Sequence, residues 1–198
     1  MKNIIVASNN KHKLEEIKTI LSDYNLLTLN DIGFHDDIVE DGTTFEENAL
    51  IKVNTIRNYV KGTERENYII IADDSGLSVD ALNGAPGIFS ARYSGKGDEG
   101  NRQLLLKEMK GKTNRDAHFY CCMAISLPTG ETKTVVGKTH GTITEEKIGD
   151  DSFGYDCLFL SRDLEKTFGE ATAEEKNSVS HRYYALVEVK NYLDCVNL

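Results

Sequence analysis

The feature that most restricts the fold is a short apolar run that ends abruptly in acidic and small residues. Tyr68–Ala72 is rich in Ile, which favours a buried strand, and Asp73, Asp74, Ser75 and Gly76 follow it directly. Polar residues held at the end of such a rigid element often carry chemistry. We therefore predict a buried strand that stops at Asp73 and presents two carboxylates at its end.

The first part of the chain predicts a strand and two helices. Asn3–Ala7 is an apolar run, and apolar residues recur at helical spacing after the polar turn that follows it. Thr44–Val60 predicts the second helix, because its apolar residues lie on one face and Thr44 and Glu47 fit the capping-box pattern. The order of strand, turn and helix places polar residues at the N-terminus of the first helix.

The second half of the chain predicts a hairpin and a final helix. Residues 116–127 and 131–144 alternate as strands do, and a turn at Pro128–Gly130 joins them. This mixture of helices and strands indicates an α/β fold, in one domain over residues 1–198. The apolar stripe of the final helix consists of Ala185, Leu186, Val189, Leu193 and Val196.

The composition and the cysteine spacing indicate the cellular compartment and the state of the thiols. Of the 198 residues 39% are apolar, and no run of 18 apolar residues occurs. The first residues open into a strand pattern instead of a secretory signal, so we expect a cytoplasmic protein with no membrane partner. Its four cysteines show no C-x-x-C spacing, which favours buried thiols over a zinc site or disulfides.

The net charge restricts the ligands. The chain has 23 Lys and Arg against 32 Asp and Glu, which gives a formal charge of −9. Nucleic-acid polymers are poor partners for such a chain, because binding them takes clustered basic residues. A small anion remains compatible, provided that a local basic pocket or a divalent cation offsets the unfavourable field.

The first candidate site is the polar turn before the first helix. A helix N-terminus offers free N–H groups and a partial positive charge, which suits phosphate, and Lys13 adds a full charge. Ordinary N-capping with solvated lysines explains the same residues. A Walker A loop is excluded, because Gly95–Gly97 lacks the upstream Gly and the following Ser or Thr. The candidate residues are Ser8, Asn9, Asn10, Lys11, His12 and Lys13.

The second candidate site is acidic. Glu40, Asp41 and Glu47 precede the predicted strand that ends in Asp73 and Asp74. Mg²⁺ prefers hard carboxylate oxygens, above all when a substrate phosphate completes its coordination, and Asp74 could also take a proton from water. A capping role for Glu47 and an Asx turn at Asp74 are also compatible with the sequence.

Two other enzyme classes use similar carboxylates. A haloacid-dehalogenase-type phosphatase needs a second Asp two positions after its nucleophile, but Ser75 occupies that position after Asp73. An aspartic protease uses D-[ST]-G, which Asp74, Ser75 and Gly76 match, and a dimer would supply the second carboxylate. The tripeptide alone leaves the protease open.

The third candidate site combines aromatic and charged residues of the last third of the chain. Aromatic rings beside hydrogen-bonding groups meet the two requirements for holding a nucleobase, namely stacking and directional polar contacts. Core aromatics beside a solvated helix start would give the same pattern. The candidate residues are Phe153, Gly154, Tyr155, Asp156, Lys176, His181 and Arg182.

In combination, these segments resemble the inosine triphosphate pyrophosphatase family, also called Ham1-like. The resemblance covers nearly the whole chain, and the motifs stand in the right order. They are Ser8-x-Asn10-x-x-Lys13; Glu40-x-Gly42-x-Thr44-Phe45-x-Glu47-Asn48-Ala49 with Lys52; Ala72-Asp73-Asp74-Ser75-Gly76-Leu77; Gly84-Ala85-Pro86-Gly87; Ser90-Ala91-Arg92-Tyr93; Phe153-Gly154-Tyr155-Asp156; and Glu174-Glu175-Lys176-Asn177-x-x-Ser180-His181-Arg182.

The resemblance implies a long curved mixed sheet flanked by helices, two lobes with a central active-site cleft, and a homodimer. It also implies hydrolysis of deaminated purine nucleoside triphosphates (ITP, dITP, XTP) to the monophosphate and pyrophosphate with Mg²⁺, which removes them from the precursor pool. Glu40 and Asp74 would hold the metal, and Asp74 would also accept the proton. The implied substrate contacts are Ser8, Asn10, Lys13 and Lys52 for the triphosphate, and Ser75.

Three departures from the family pattern and two rival functions remain. Phe89 stands where Tyr is common, and Cys157 stands where the family has a proline after Asp156. Asn9 stands where the family usually has Gly, and because Asn also enters the left-handed conformation we expect the turn to keep its shape. The rivals are a related pyrophosphatase for another modified base and a nucleotide-binding regulatory module without turnover. The acidic residues argue against the module, since a polyanion beside carboxylates is costly unless a metal lies between them.

Overall fold

The computed structural model describes residues 2–196. Six strands form one mixed sheet in the order β2-β1-β3-β4-β5-β6, in which β1 is parallel to β2 and β3, and β6 is antiparallel to β5. The strands are β1 (Asn3–Val6), β2 (Asn25–Leu27), β3 (Ile69–Val79), β4 (Asp116–Ser126), β5 (Thr132–Ile143) and β6 (Phe159–Ser161). The helices are α1 (Lys11–Ile20), α2 (Phe45–Val60), α3 (Gly97–Glu108), α4 (Ala173–Val179) and α5 (His181–Cys195).

The predicted α/β class with a mixed sheet is confirmed, and most predicted elements form. The strand at the N-terminus, the first two helices, the hairpin and the final helix lie within a few residues of their expected bounds. Val196 is the one member of the predicted C-terminal stripe that lies beyond α5. Of the cysteines, Cys121, Cys122 and Cys157 are buried as expected, but the expectation is wrong for Cys195, which is exposed at the end of α5.

Strand β3 is longer than predicted. The expectation that it stops at Asp73 is wrong, because the strand continues to Val79. Leu77 and Val79 are fully buried, so apolar burial resumes after the polar residues and keeps the chain extended. Asp73 and Asp74 therefore lie inside a strand, not beyond its end.

Side-chain caps fix where the first two helices begin. The Asn10 side chain accepts hydrogen bonds from the backbone N–H groups of His12 and Lys13, and the Thr44 side chain accepts one from Glu47. The reciprocal half of the predicted capping box is displaced by one residue, since the Glu47 carboxylate accepts from the backbone N–H of Thr43 at 2.6 Å. Both helix starts are thus held by local contacts.

The chain forms two compact units. Unit 1 comprises residues 1–74, 121–136 and 183–198, and unit 2 comprises residues 75–120 and 137–182. The core of unit 1 contains residues such as Ile4, Val6, Ile71 and Met123, all of which are buried. Unit 1 also holds the first two candidate sites, whereas Ser75 belongs to unit 2. The single domain and the central cleft stay predictions.

Unit 2 has an aromatic core. The ring of Phe119 lies 4.7 Å from that of Phe159 and 5.9 Å from that of Phe168, measured between centroids. Leu105 and Met109 of the α3 segment are buried in the same cluster. Among residues 2–196, no helix combines the length and the apolar character that crossing a bilayer would take.

Candidate active site

A cavity of about 400 Å³ in unit 1 brings the first candidate site together with part of the second. One wall is the turn before α1, and the segment 34–38 provides another. Lys11 and His12 are exposed on α1 and do not line it. The predicted site residues that line the cavity are Ser8, Asn9, Asn10, Lys13, Glu40 and Lys52, together with Asp73.

The turn before α1 is held by its own polar side chains. Ser8 accepts a hydrogen bond from the backbone N–H of Asn10 at 3.1 Å. Asn9 has no positive φ, so the turn does not use the left-handed conformation at this residue. Its side-chain oxygen instead accepts a hydrogen bond from the backbone N–H of Asn30 at 3.1 Å. The Asn9 side chain thus ties the turn to the chain segment after β2.

Asp73 pairs with the lysine of that turn. The Lys13 ammonium nitrogen lies 2.8 Å from one carboxylate oxygen of Asp73 and 3.0 Å from the other. The Asp73 side chain is only 3% exposed, whereas that of Lys13 is 22% exposed. Asp73 therefore orients a lysine that still reaches the cavity.

Lys52 of α2 lies at the centre of the acidic residues. Its ammonium nitrogen is 2.8 Å from Glu40 and 3.8 Å from Asp74, and it donates to the backbone carbonyl of Asp73 at 2.9 Å. Lys52 is nearly buried, with 8% exposure, so these contacts are weakly screened by water. One cation thus joins the predicted metal carboxylates in the structure.

Asp74 occupies an environment that favours proton uptake. Burial raises the pKa of its carboxyl above the ordinary value, and the charge of Glu40 raises it further. The Lys52 ammonium and a hydrogen bond from Asn48 act in the opposite direction without cancelling the rise. A carboxylate whose pKa is raised towards neutrality is a better general base than an ordinary Asp.

Sequence reasoning assigned no role to Asn48, which connects two parts of the site. Its side-chain nitrogen donates to Asp74 at 3.0 Å, and its side-chain oxygen accepts from the backbone N–H of Gly42 at 2.9 Å. A Cβ at position 42 would lie 2.7 Å from that oxygen, so only glycine fits there. The signal was the Gly42 and Asn48 spacing within the family motif.

The third candidate site lies in unit 2, where part of it comes together. Lys176 forms an ion pair with Asp156, and its ammonium nitrogen lies 4.8 Å from the centroid of the Phe153 ring. Phe153 is 40% exposed and so presents a ring face to a ligand. An aromatic ring, a cation and a carboxylate are therefore adjacent, as base recognition requires.

Arginine and histidine of the same site are buried. Arg182 donates to the Ser75 hydroxyl at 3.3 Å, and His181 stacks on Phe119 with a centroid distance of 5.0 Å. Both residues are less than a tenth exposed. Their positions are therefore fixed by packing.

Gly154 and Tyr155 hold the loop that carries Phe153. Gly154 accepts a hydrogen bond from Arg102 at 2.7 Å, and its N–H donates to Asp98 at 3.0 Å. The Tyr155 hydroxyl donates to the backbone carbonyl of Ser90 at 2.8 Å, and burial raises the pKa of that hydroxyl. Their polar groups are engaged within the protein, and their predicted substrate contacts stay predictions.

The donor set allows a magnesium ion only with help from a ligand. Within residues 2–196, no group of three or more His, Cys, Asp and Glu side chains is placed to hold a metal ion. Glu40 and Asp74 supply two carboxylates beside the same lysine. Mg²⁺ commonly takes one or two protein carboxylates and completes its octahedron with water and substrate phosphates. The residues therefore fit Mg²⁺ that arrives with a phosphate ligand.

Comparison with known proteins supplies a family and close relatives. A model of the Ham1 family matches residues 4–192. The chain is 48% identical to the dITP/XTP pyrophosphatase of Clostridium perfringens and 45% identical to that of Bacillus subtilis, in each case over 98% of both chains. It superposes on the structure of the Staphylococcus aureus Ham1 protein with a TM-score of 0.88 at 39% identity, over 98% of each chain.

Proposed function

The chain belongs to the Ham1 family, and from that premise we propose that it hydrolyses deaminated purine nucleoside triphosphates to the monophosphate and pyrophosphate. Its proposed substrates are dITP and XTP, in line with the names of its relatives, and ITP, which carries the same base as dITP. The observation that carries the proposal is the position of Lys52, which contacts Glu40 at 2.8 Å and Asp74 at 3.8 Å beside the cavity. The lysine proposed to bind phosphate thus lies next to the carboxylate proposed to accept the proton.

In the proposed mechanism, the chain holds the triphosphate and moves one proton. Lys13, Lys52 and the N–H groups at the start of α1 bind phosphate oxygens. Asp74 accepts the proton of the attacking water, for which its raised pKa suits it. Glu40 and Asp74 would hold Mg²⁺, and the bound ion would neutralise charge on the phosphates. Pyrophosphate leaves as the α–β phosphoanhydride bond breaks.

The product assay tests this proposal. With ITP, dITP or XTP and Mg²⁺, we expect pyrophosphate and the nucleoside monophosphate in equal amounts, since the leaving group is the whole β–γ unit. Pyrophosphate and orthophosphate are measured separately over a panel of nucleoside triphosphates. Orthophosphate as the sole product would contradict α–β cleavage.

The same assay separates the rival functions. An excess of chelator should abolish turnover, because the triphosphate and the carboxylates of Glu40 and Asp74 repel each other unless a metal ion lies between them. Undiminished turnover in chelator would contradict the metal role of Glu40 and Asp74. Tight binding with no product would indicate the regulatory module, and peptide cleavage at acidic pH would indicate the protease. Faster turnover of another modified base than of ITP would identify the related pyrophosphatase.

Base selectivity is proposed to depend on the cations of unit 2. Hypoxanthine and xanthine present an acceptor at position 6, where adenine presents an amino group, so donors facing that edge reject ATP. We expect Arg182→Ala to lower kcat/KM for ITP much more than for ATP, narrowing their ratio by roughly tenfold, the cost of one unpaired buried polar group. The measurement is kcat/KM for both nucleotides.

A surface lysine provides the control for this prediction. Lys166 pairs with Glu175 at 2.7 Å, also in unit 2, and is far more exposed than Arg182. Lys166→Ala should leave the ITP to ATP ratio unchanged. The assignment of base recognition to this cluster would be wrong if Arg182→Ala and Lys176→Ala both preserved the ratio of the unmodified enzyme.

The family membership also supports a homodimer in the cytoplasm as a proposal. Sedimentation equilibrium of the purified chain tests the first part, and fractionation of cells tests the second.

A further inference from the structure

Two histidines lie side by side on neighbouring strands of unit 2. The backbone N–H of Ile143 donates to the carbonyl of Arg115 at 2.9 Å, which sets the register where β4 begins and β5 ends. Counting inwards from that hydrogen-bonded pair, His118 of β4 lies opposite His140 of β5. His118 and His140 form a non-hydrogen-bonded pair. In antiparallel strands, the side chains of such pairs lie closer together than those of hydrogen-bonded pairs. The two ring centroids are 5.6 Å apart.

Charged groups of β4 and β5, and of the turns after β3 and β6, lie near the pair. Asp80 follows β3, and its charge raises the pKa of His118. Lys138 of β5 acts in the opposite direction, as do burial and His140, and the net effect lowers the pKa of His118. Asp116 of β4 is engaged by Arg162 at 2.8 Å. The charge of Lys138 therefore opposes a bound cation, and that of Asp80 favours one.

We propose that His118 and His140 form a binding site for a divalent transition-metal ion such as Ni²⁺, Cu²⁺ or Zn²⁺. Two imidazoles supply the protein ligands and water supplies the remainder, since residues 2–196 offer no group of three or more such side chains. His140 is exposed and His118 is half-buried, so an ion reaches the pair from solvent. The site differs in chemistry from Glu40 and Asp74 of unit 1, whose hard oxygens suit Mg²⁺.

The positive charge of Lys138 opposes metal binding by the two histidines. Its ammonium nitrogen lies 5.1 Å from the centroid of the Tyr120 ring, and Tyr120 is two residues from His118 on the same face of β4. A fixed positive charge near the pair disfavours a bound cation. Removing that charge should therefore tighten metal binding, whereas removing either histidine should weaken it.

The test is a calorimetric titration of the tag-free protein with NiCl2 in a constant excess of MgCl2, which competes for hard oxygen ligands and not for imidazole nitrogens. We expect binding of Ni²⁺ that weakens at least ~10-fold in His118→Ala and in His140→Ala, since loss of a direct ligand costs no less than loss of its supporting partners. Lys138→Gln should tighten it. CuCl2 should bind more tightly than NiCl2. Unfolding temperatures in chelator show that each variant is folded.

A histidine elsewhere in the chain provides the control. His12→Ala in unit 1 should leave the affinity for Ni²⁺ at the pair unchanged. Ni²⁺ should also broaden the imidazole NMR signals of His118 and His140 before those of His12. No detectable binding of Ni²⁺ at millimolar concentration, or the same affinity after loss of either histidine of the pair, would overturn the proposal.

Discussion

Asp74→Asn should lower kcat by at least ~10², because it removes both a charged metal ligand and the general base while keeping the size of the side chain. The Asn48 amide still has an oxygen to donate to at position 74, so the local packing is preserved. Asp23, which is exposed in unit 1, provides a matched control, and Asp23→Asn should leave kcat unchanged. Near-normal turnover of Asp74→Asn with Mg²⁺ would reduce Asp74 to a structural residue.

The same variant should be more stable than the unmodified protein. Burial raises the pKa of Asp74 above its value in the unfolded chain, so ionised Asp74 lowers the free energy of unfolding at neutral pH. That cost is absent below the unfolded pKa and grows as pH rises through the folded one. Without Mg²⁺, Asp74→Asn should therefore unfold at a higher temperature at neutral pH, with a gain that shrinks as pH falls. Activity lost together with stability would indicate misfolding instead.

Lys52→Met should lower kcat/KM at least ~10²-fold, the scale seen when a preorganised electrostatic contact is removed. Without this ammonium, Glu40 and Asp74 lose their shared cation and repel the triphosphate. Lys61, exposed at the end of α2, provides the control, and Lys61→Met should keep normal kinetics. Kinetics of Lys52→Met within twofold of normal, in a folded variant, would exclude Lys52 from phosphate binding.

Measurements of stability distinguish a role of Lys52 in phosphate binding from a role in holding the fold. Lys52→Met leaves the half-buried carboxylates of Glu40 and Asp74 without their cation, so its unfolding temperature should fall at neutral pH and recover as acid protonates them. Combining Lys52→Met with Asp74→Asn removes one of those charges and should restore part of the stability without restoring turnover. Turnover of the double variant equal to that of Asp74→Asn alone would mean that Lys52 acts only by holding the fold.

Elements set by local signals could be predicted from the sequence. Helix α2 shows its apolar stripe and its Thr44 cap within a short segment, and β4 and β5 are marked by alternation on either side of a turn at Gly130. Such signals involve only neighbouring residues. The end of β3 was missed for the opposite reason, because Lys13 and Lys52, which make polar residues acceptable inside a strand, are distant in sequence.

In the candidate site, too, local features could be predicted from the sequence and contacts between distant residues could not. The sequence showed the residue types of the acidic and aromatic clusters. It did not show which partner each side chain contacts in the structure. Phe153 and Tyr155 stand in one motif, yet the first ring is 40% exposed and the second only 5%. Asn48 and the Asn9 contact with Asn30 likewise depend on tertiary distances, which no spacing in the sequence reports.

The position of Asp73 and Asp74 inside β3 makes the length of this strand as restrictive as its composition. Successive side chains of a strand point to opposite faces, so Asp73 meets Lys13 while Asp74 meets Asn48 and Lys52. Insertion or deletion of a single residue between Ile69 and Asp73 would exchange the two faces. Asp74, the proposed proton acceptor, would then lie beside Lys13, where Asp73 lies in this structure. Homologues should therefore vary in the loops before and after β3, and not in the number of residues within it.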